Sequence, residues 1–483
     1  MKATSGRAPL VRLARPPDRT PSTATLSEGE PGSLVGAIPA CADSNERAPN
    51  VPHLLPAIAA CVIFLGAYIL IATEKWVSRT AAALGGAALI LALGISDAEA
   101  AFFSEETGVD WNVVFLLLGM MIIVGVMRET GVFEYLAIWA AKRARGRPFS
   151  LMVLLILITA VASALLDNVT TVLLIAPVSI LLCRRLALPV VPYLLAEVFA
   201  SNIGGTATLV GDPPNIIIAS RGGLSFNDFL VHLAPVVVVL LAVLIGLCRW
   251  LFADAFHTDE ERVAEILALN EREAIQDHRL LRQSLVVLGV VLAAFVLSPV
   301  LGYQPSVVAL LGAGLLIAIT RVTTETALQD VEWGTLAFFM GLFIMVGGLV
   351  ESGVLEALAQ SIADFASQDL LAFTTLLLWG SGVLSGIVDN IPYVASMSPV
   401  VADLLGPDGE PQVLWWALAL GADLGGNATL VGASANVVVA GIAARNGTAI
   451  GFWEFTRRGL IVAAATLAVS TVYVWLRYFL LAA

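Results

Sequence analysis

Uncharged stretches long enough to cross a lipid bilayer recur from residue 48 to the C-terminus. The hydrocarbon layer is roughly 30 Å thick, and a helix needs about 20 apolar residues to span it. No water reaches backbone N–H and C=O groups there, so each such stretch must satisfy its own hydrogen bonds as a helix. Composition points the same way. Of 483 residues, 58% are hydrophobic and 13% charged, against about 25% charged in a soluble domain, and the mean hydropathy is +0.88. That leaves too little polar surface for a water-soluble globule. The chain is expected to be an all-α polytopic protein of a cell (inner) membrane, with about ten transmembrane helices.

The sequence is also written twice. "DWNVVFLLLGMMIIVGVMRETGVFEYLA" (110–137) lies over "EWGTLAFFMGLFIMVGGLVESGVLEALA" (332–359) without a gap, placing Trp111 on Trp333, Gly119 on Gly341, Glu129 on Glu351 and Gly131 on Gly353. The same register carries Asp167 onto Asp389, Asn168 onto Asn390 and Pro177 onto Pro399. One residue less carries "NIGGTATLVGDPPN" (202–215) onto "DLGGNATLVGASAN" (423–436). This divides the chain into a tail (1–50), a first repeat (51–252), a linker (253–283) and a second repeat (284–483). The tail is rich in Pro, Ser, Thr and Arg with no apolar core close behind, and reads as disordered; an organelle transit peptide is the other reading. In the linker, Val263, Ile266, Leu267 and Ile275 recur at helical spacing, the pattern of a surface helix.

Charge placement orients the repeats. Lys142, Arg143, Arg145 and Arg147 precede residues 148–186, and Arg184 and Arg185 close them. Both ends of that segment are therefore expected in the cytoplasm, which makes it a hairpin. Its twin at 370–404 is flanked by Asp364, Asp369, Asp408 and Glu410, which places both ends outside. Five crossings per half, an odd number, agree that the two halves run inverted. The basic tail then falls outside, against the same rule.

Within 190–221 and 412–444, Gly204-Gly205, Pro213-Pro214 and Gly425-Gly426 interrupt segments otherwise fit to cross the membrane. Such residues unwind a helix and free backbone groups that hydrocarbon cannot satisfy. Inverted repeats with two hairpins and two broken helices are the architecture of secondary transporters, whose unwound carbonyls hold ions. An ionised carboxylate inside each hairpin, Asp167 and Asp389, marks an ion pathway. The candidate binding set is Asp167, Asn168, Thr170, Thr171, Asn202, Gly204, Gly205, Thr206, Thr208, Asp212 and Asn215, with Asp389, Asn390, Asp423, Gly425, Gly426, Asn427, Thr429 and Asn436. Asp167, Asp389 and Glu197 are the candidates for coupling. Simpler roles stand beside these. The aspartates can cap helices, the asparagines can satisfy unwound backbone, and the threonines can bond carbonyls four residues back. Glu197 and Asp212 have no acidic twin, since Leu418 and Ala433 stand in their places, so the halves are chemically unequal.

Other chemistries lack a pattern. Cys41, Cys61, Cys183 and Cys248 are scattered, and four histidines form no ligand spacing, so no metal site or cofactor is expected beyond Na+ or H+ as coupling ion. The net charge of −12 sits mostly in loops, and no basic stripe suggests nucleic acid. No nucleophile pair or metalloprotease spacing suggests an enzyme.

The stretches "LLDNVTTVLLIAPV", "SNIGGTATLVGDPPNIII", "VDNIPYVASMSPV" and "LGGNATLVGASANVVVAGIA" resemble the P-protein branch of the arsenite/antimonite permease family, within the ion transporter superfamily of citrate-type and dicarboxylate carriers. The resemblance covers about residues 54–480. It implies a scaffold domain, a transport domain holding both hairpins and both broken helices, a homodimer and elevator-like alternating access. Dicarboxylate members carry Ser-Asn-Thr at the hairpin tips; the matching positions here read Asp167-Asn168-Val169-Thr170 and Asp389-Asn390-Ile391-Pro392. Two like charges near 4 Å repel by roughly 4 kcal/mol at an effective dielectric of about 20, which argues against a polycarboxylate cargo. The expected function is secondary transport of a small ion, either cation/proton antiport or arsenite-type oxyanion efflux. A sodium-coupled carboxylate carrier and a passive ion channel are the alternatives.

Overall fold

The structure is a computed structural model that describes residues 54–73, 77–104, 106–145, 147–256, 271–320, 322–405 and 409–481. The tail (1–50) and the linker positions Val263, Ile266 and Leu267 lie outside the described residues. Ile275 sits in irregular chain after a short 3₁₀ turn, Glu271–Ala274.

Every regular element among the described residues is helical. In the first half these are α1 (Leu54–Thr73), α2 (Arg79–Ala92), α3 (Ala98–Phe103), α4 (Trp111–Arg128), α5 (Val132–Ala144), α6 (Pro148–Leu165), α7 (Asn168–Arg185), α8 (Val190–Gly205), α9 (Pro213–Gly222), α10 (Phe226–His232) and α11 (Ala234–Leu251). The second half follows with α12 (His278–Leu301), α13 (Pro305–Ile319), α14 (Thr324–Gln329), α15 (Trp333–Glu351), α16 (Val354–Gln368), α17 (Leu370–Ile387), α18 (Asn390–Leu404), α19 (Val413–Gly425), α20 (Ser434–Arg445) and α21 (Phe452–Val474).

Nine of the described helices are long and apolar enough to cross a membrane: the hairpin arms α6, α7 and α17, and six of the ten expected crossings, α1, α4, α11, α12, α15 and α21. Of the other four expected crossings, two are the broken segments and two are α2 and α13, with 14 and 15 residues, about 21–23 Å at 1.5 Å per residue. Ser78 caps the start of α2 by accepting from Ala81 N, and Gly94 in the left-handed region follows its end. Pro305 opens α13 at a position where its missing N–H costs nothing. The outermost helices invert the usual burial rule. Leu54, Leu55, Val62 and Leu65 on α1 and Val286, Val290 and Val300 on α12 are exposed, as a lipid-facing surface requires.

The two halves interlace. Helix α4 lies on α13, and α15 lies on α2. A Cβ on Gly119 would stand 2.6 Å from the Ala309 backbone, and one on Gly341 would stand 2.7 Å from that of Ala83. These twin glycines let a helix of one half approach a helix of the other at backbone distance. Helices α6 and α7 form one hairpin, turning at Leu166-Asp167, and α17 and α18 form the other, turning at Val388-Asp389. The first arm of each packs on the broken helix of its own half, α6 on α8 and α17 on α19. The second arms cross over, α7 against α20 and α18 against α9. Both hairpin tips and both breaks are thereby drawn together.

Candidate functional site

The breaks come first, because they leave backbone groups that must be bonded. Between α8 and α9, Asn215 Nδ2 donates to Gly205 O at 3.3 Å and Thr208 O at 3.2 Å. Between α19 and α20, Asn436 Nδ2 donates to Gly426 O at 2.7 Å and Thr429 O at 2.8 Å. Each loop is also fastened to its hairpin: Thr208 Oγ1 donates to Ala164 O, and Thr429 Oγ1 donates to Gly386 O at 2.6 Å. Thr206 Oγ1 bonds Asn202 O, four residues back, at 2.9 Å. These five side chains take the backbone-satisfying role. The glycines supply room. A Cβ on Gly204 would lie 2.4 Å from Ala160 O, one on Gly425 2.3 Å from Gly382 O, and one on Gly205 2.6 Å from Gly211 O.

Other asparagines tie the halves to each other. Asn202 Nδ2 donates to Asn427 Oδ1 at 3.0 Å and to Asn436 Oδ1 at 3.1 Å. Asn168, at the first hairpin tip, donates to Asp212 Oδ2 at 2.9 Å and to Asn202 Oδ1 at 3.4 Å. Asn202, Thr206, Asn215, Asp423, Asn427 and Asn436 are all 0% exposed. Two serines outside the candidate set belong here as well. Ser201 Oγ donates to Asn168 O at 3.2 Å, and Ser163 Oγ donates to Ser201 O at 2.7 Å.

The four central carboxylates differ in how they are held. Asp167 caps α7, accepting from Thr170 N at 2.8 Å and from the Thr170 hydroxyl. Asp389 caps α18 through Ile391 N at 3.1 Å and accepts from Ser434 Oγ at 2.6 Å. Both are half-buried. Asp212 stands at the start of α9, but its side chain turns from the helix to Asn168, and Oδ1 has no partner. Asp423 lies in the last turn of α19, wholly buried, with neither carboxylate oxygen hydrogen-bonded. It faces Thr206 and Asn215, whose donors are already committed to backbone carbonyls. Asn215 Oδ1 is also unpartnered. A helix N-terminus favours an anion and a helix C-terminus disfavours one, so Asp167, Asp389 and Asp212 sit where the backbone helps them. Asp423 sits where it does not.

Of the remaining candidates, Asn390 belongs to the second tip, where its backbone N–H donates to Gly432 O of the break at 3.2 Å, and Glu197 lies apart. Glu197 is buried on α8 and accepts from Ser179 on α7. Thr171 is buried with its hydroxyl unpartnered, and so is the Asn390 side-chain amide nitrogen. One residue the sequence reading passed over reaches the second tip: Arg79 of α2 donates to Ser434 Oγ and lies 3.8 Å from Asp389 Oδ2. The signal was present, because Arg79 is the one charge between Lys75 and Asp97.

This is a polytopic helical membrane protein with a buried polar centre, the build that membrane transporters share. The chain belongs to the citrate transporter family CitMHS, whose model matches residues 68–421. An uncharacterized transporter of Mycobacterium tuberculosis (strain H37Rv) is 56% identical over 88% of this chain and 99% of that relative. The P protein of Homo sapiens is 34% identical over 86% of this chain, which spans 59% of that larger protein. Among solved structures, the YdaH transporter of Alcanivorax borkumensis superposes with a TM-score of 0.58 at 15% identity, covering 87% of this chain and 98% of that one. That likeness concerns the fold. The chain is an integral membrane transporter of the cell membrane, with a lipid environment and a small-molecule substrate.

Proposed function

We propose that this transporter is a secondary active carrier of a small ion, and that its coupling ion, H+ or Na+, is taken up at the buried centre beside Asp423. Asp423 carries the proposal: it is a wholly buried carboxylate at a helix C-terminus, and the side chains it faces, Thr206 and Asn215, already donate to backbone carbonyls. An uncompensated charge in such a place costs several kcal/mol, and a proton or a monovalent cation removes that cost. Asp212 Oδ1 and Asn215 Oδ1 are the other unpartnered oxygens of the cluster, and Asp212 and Asp423 lie within electrostatic reach of each other. The coupling role sketched for Asp167 and Asp389 passes to this pair, because the tip aspartates already have their capping bonds.

The cargo follows from the same charges. Four carboxylates around one centre suit a cation exchanged for protons, or a neutral oxyacid of the arsenite kind, better than a polycarboxylate. The name of the family favours the second reading, a sodium-coupled carboxylate carrier. In both readings the halves run inverted, the hairpins and broken helices move as one unit past α2, α4, α13 and α15, and two copies form a homodimer. Tracer flux into proteoliposomes under imposed pH and Na+ gradients tests the proposal. Uphill movement of the tracer driven by one gradient supports it, and currents that persist without any gradient dependence of uptake would make the protein a channel.

A further inference from the structure

Helices α2 and α13 hold matching places in the two halves, since Ala83 meets Gly341 as Ala309 meets Gly119. Counting back along both helices sets Thr80 over Ser306 and Arg79 over Pro305. Around Pro305 the boundary between α13, α4 and α9 is open. A crevice of about 210 Å³ lies there, lined by Asn112, Leu209, Ile216, Ser220, Gln304 and Pro305. In the other half, Arg79 stands at the helix position that matches Pro305. Its guanidinium donates to Ser434 Oγ, which in turn donates to Asp389 Oδ2 at 2.6 Å. The guanidinium lies 3.8 Å from that same oxygen and 5.7 Å from the centre of the Phe338 ring. One half-buried side chain thus joins α2 to the tip of the second hairpin and to the start of α20. Proline at the matching position has no donor with which to do so.

We infer that Arg79 is a latch that shuts the second-half route to the buried centre in this conformation, by holding α2 to the second hairpin tip and to the start of α20. The inference rests on the alternating-access reading above and adds to it the residue that holds one side closed. For that side to open, the guanidinium must leave Ser434 and Asp389 in each cycle. A charge-assisted hydrogen bond of this kind is strong enough to set the population of closed molecules, yet weak enough to break on the timescale of transport.

The test is cysteine labelling in detergent, where both faces are accessible. Cys41, Cys61, Cys183 and Cys248 are replaced, and Ala433→Cys, wholly buried beside Ser434, reports opening through its rate of reaction with a charged maleimide. Arg79→Gln is expected to raise that rate by about tenfold, and the exchanged pair Arg79→Asp with Asp389→Arg is expected to restore slow labelling. If Arg79→Gln is not recovered as folded protein, Asp389→Asn breaks the same contact from the other side and is read in the same way. Labelling unchanged in folded Arg79→Gln, or fast labelling that persists in the exchanged pair, would overturn the latch. Flux of the unaltered protein is measured separately, so a protein that moves no ion defeats the transport reading, while the labelling still decides the latch.

Discussion

Asp423 holds the sharpest expectation at the scale of single residues. Replacing it by Asn removes the cost of burying an ionisable carboxyl whose facing donors, Thr206 and Asn215, are shared with backbone carbonyls, so Asp423→Asn is expected to raise the thermal midpoint of unfolding in ion-free buffer near neutral pH. A lowered midpoint in a scanning fluorimetry series would mean that the carboxylate has a stabilising partner. Asn202 predicts the opposite sign. Its amide bonds Asn427 and Asn436 across the two halves, and Asn202→Ala leaves two buried carbonyl oxygens short of a donor, at about 1–3 kcal/mol. A fall in the midpoint by several degrees checks that. Much of the site was legible at this scale, since Asp167, Asn168 and Asp389 announce themselves as polar groups in apolar runs. The pairing of Asn202 with Asn427 was not legible, because a contact between residues 225 apart depends on how hairpins of different halves cross. Glu197 shows the converse. It is as anomalous in sequence as Asp212, yet one face of α8 turns it to Ser179 and away from the centre.

At the scale of elements, the glycines divide into those that make room and those that do not. Gly425→Ala sets a methyl group against the Gly382 carbonyl at 2.3 Å and is expected to cost about 1–3 kcal/mol through displaced backbone. Gly66→Ala meets nothing within 4 Å on α1 and is expected to stabilise by about 0.5–1 kcal/mol, from helix propensity. Equal effects of the two on unfolding would refute the close packing of α17 on α19. The start of α12 provides a pH test outside the membrane. Hydrogen bonds from the backbone N–H groups of Leu280 and Arg279 hold the exposed Asp277 carboxyl below the ordinary carboxylate range. A depressed pKa means that the stabilising effect is present above the unfolded-state value and is lost as pH falls through the folded one. Amide exchange at Leu280 and Leu281 is expected to speed up, relative to its intrinsic rate, only in that acidic window. The breaks at 206–212 and 426–433 were legible because paired glycines and prolines cannot continue a helix. The shortness of α2 and α13 was not, since hydropathy alone runs past the turns that end them.

For the whole molecule, a fold assembled by exchange, with α4 on α13 and α15 on α2, implies that neither half is stable alone. Residues 51–252 expressed without 284–483 are expected to aggregate or be degraded in membranes, whereas co-expression of both segments restores folded protein, as judged by monodisperse elution. The duplication was plain from sequence, but the exchange was not, because a repeat specifies what each half contains and leaves open which half its helices touch. The most direct measurement is the thermal midpoint of the purified protein across Na+ concentration and pH, set beside that of Asp423→Asn. A ligand at a hundred times its dissociation constant stabilises the native state by about 2.7 kcal/mol. The expected result is a midpoint that rises with Na+ or with acidification in the unaltered protein and is markedly less responsive in Asp423→Asn. Identical responses in the two proteins would contradict a coupling ion held at the buried centre.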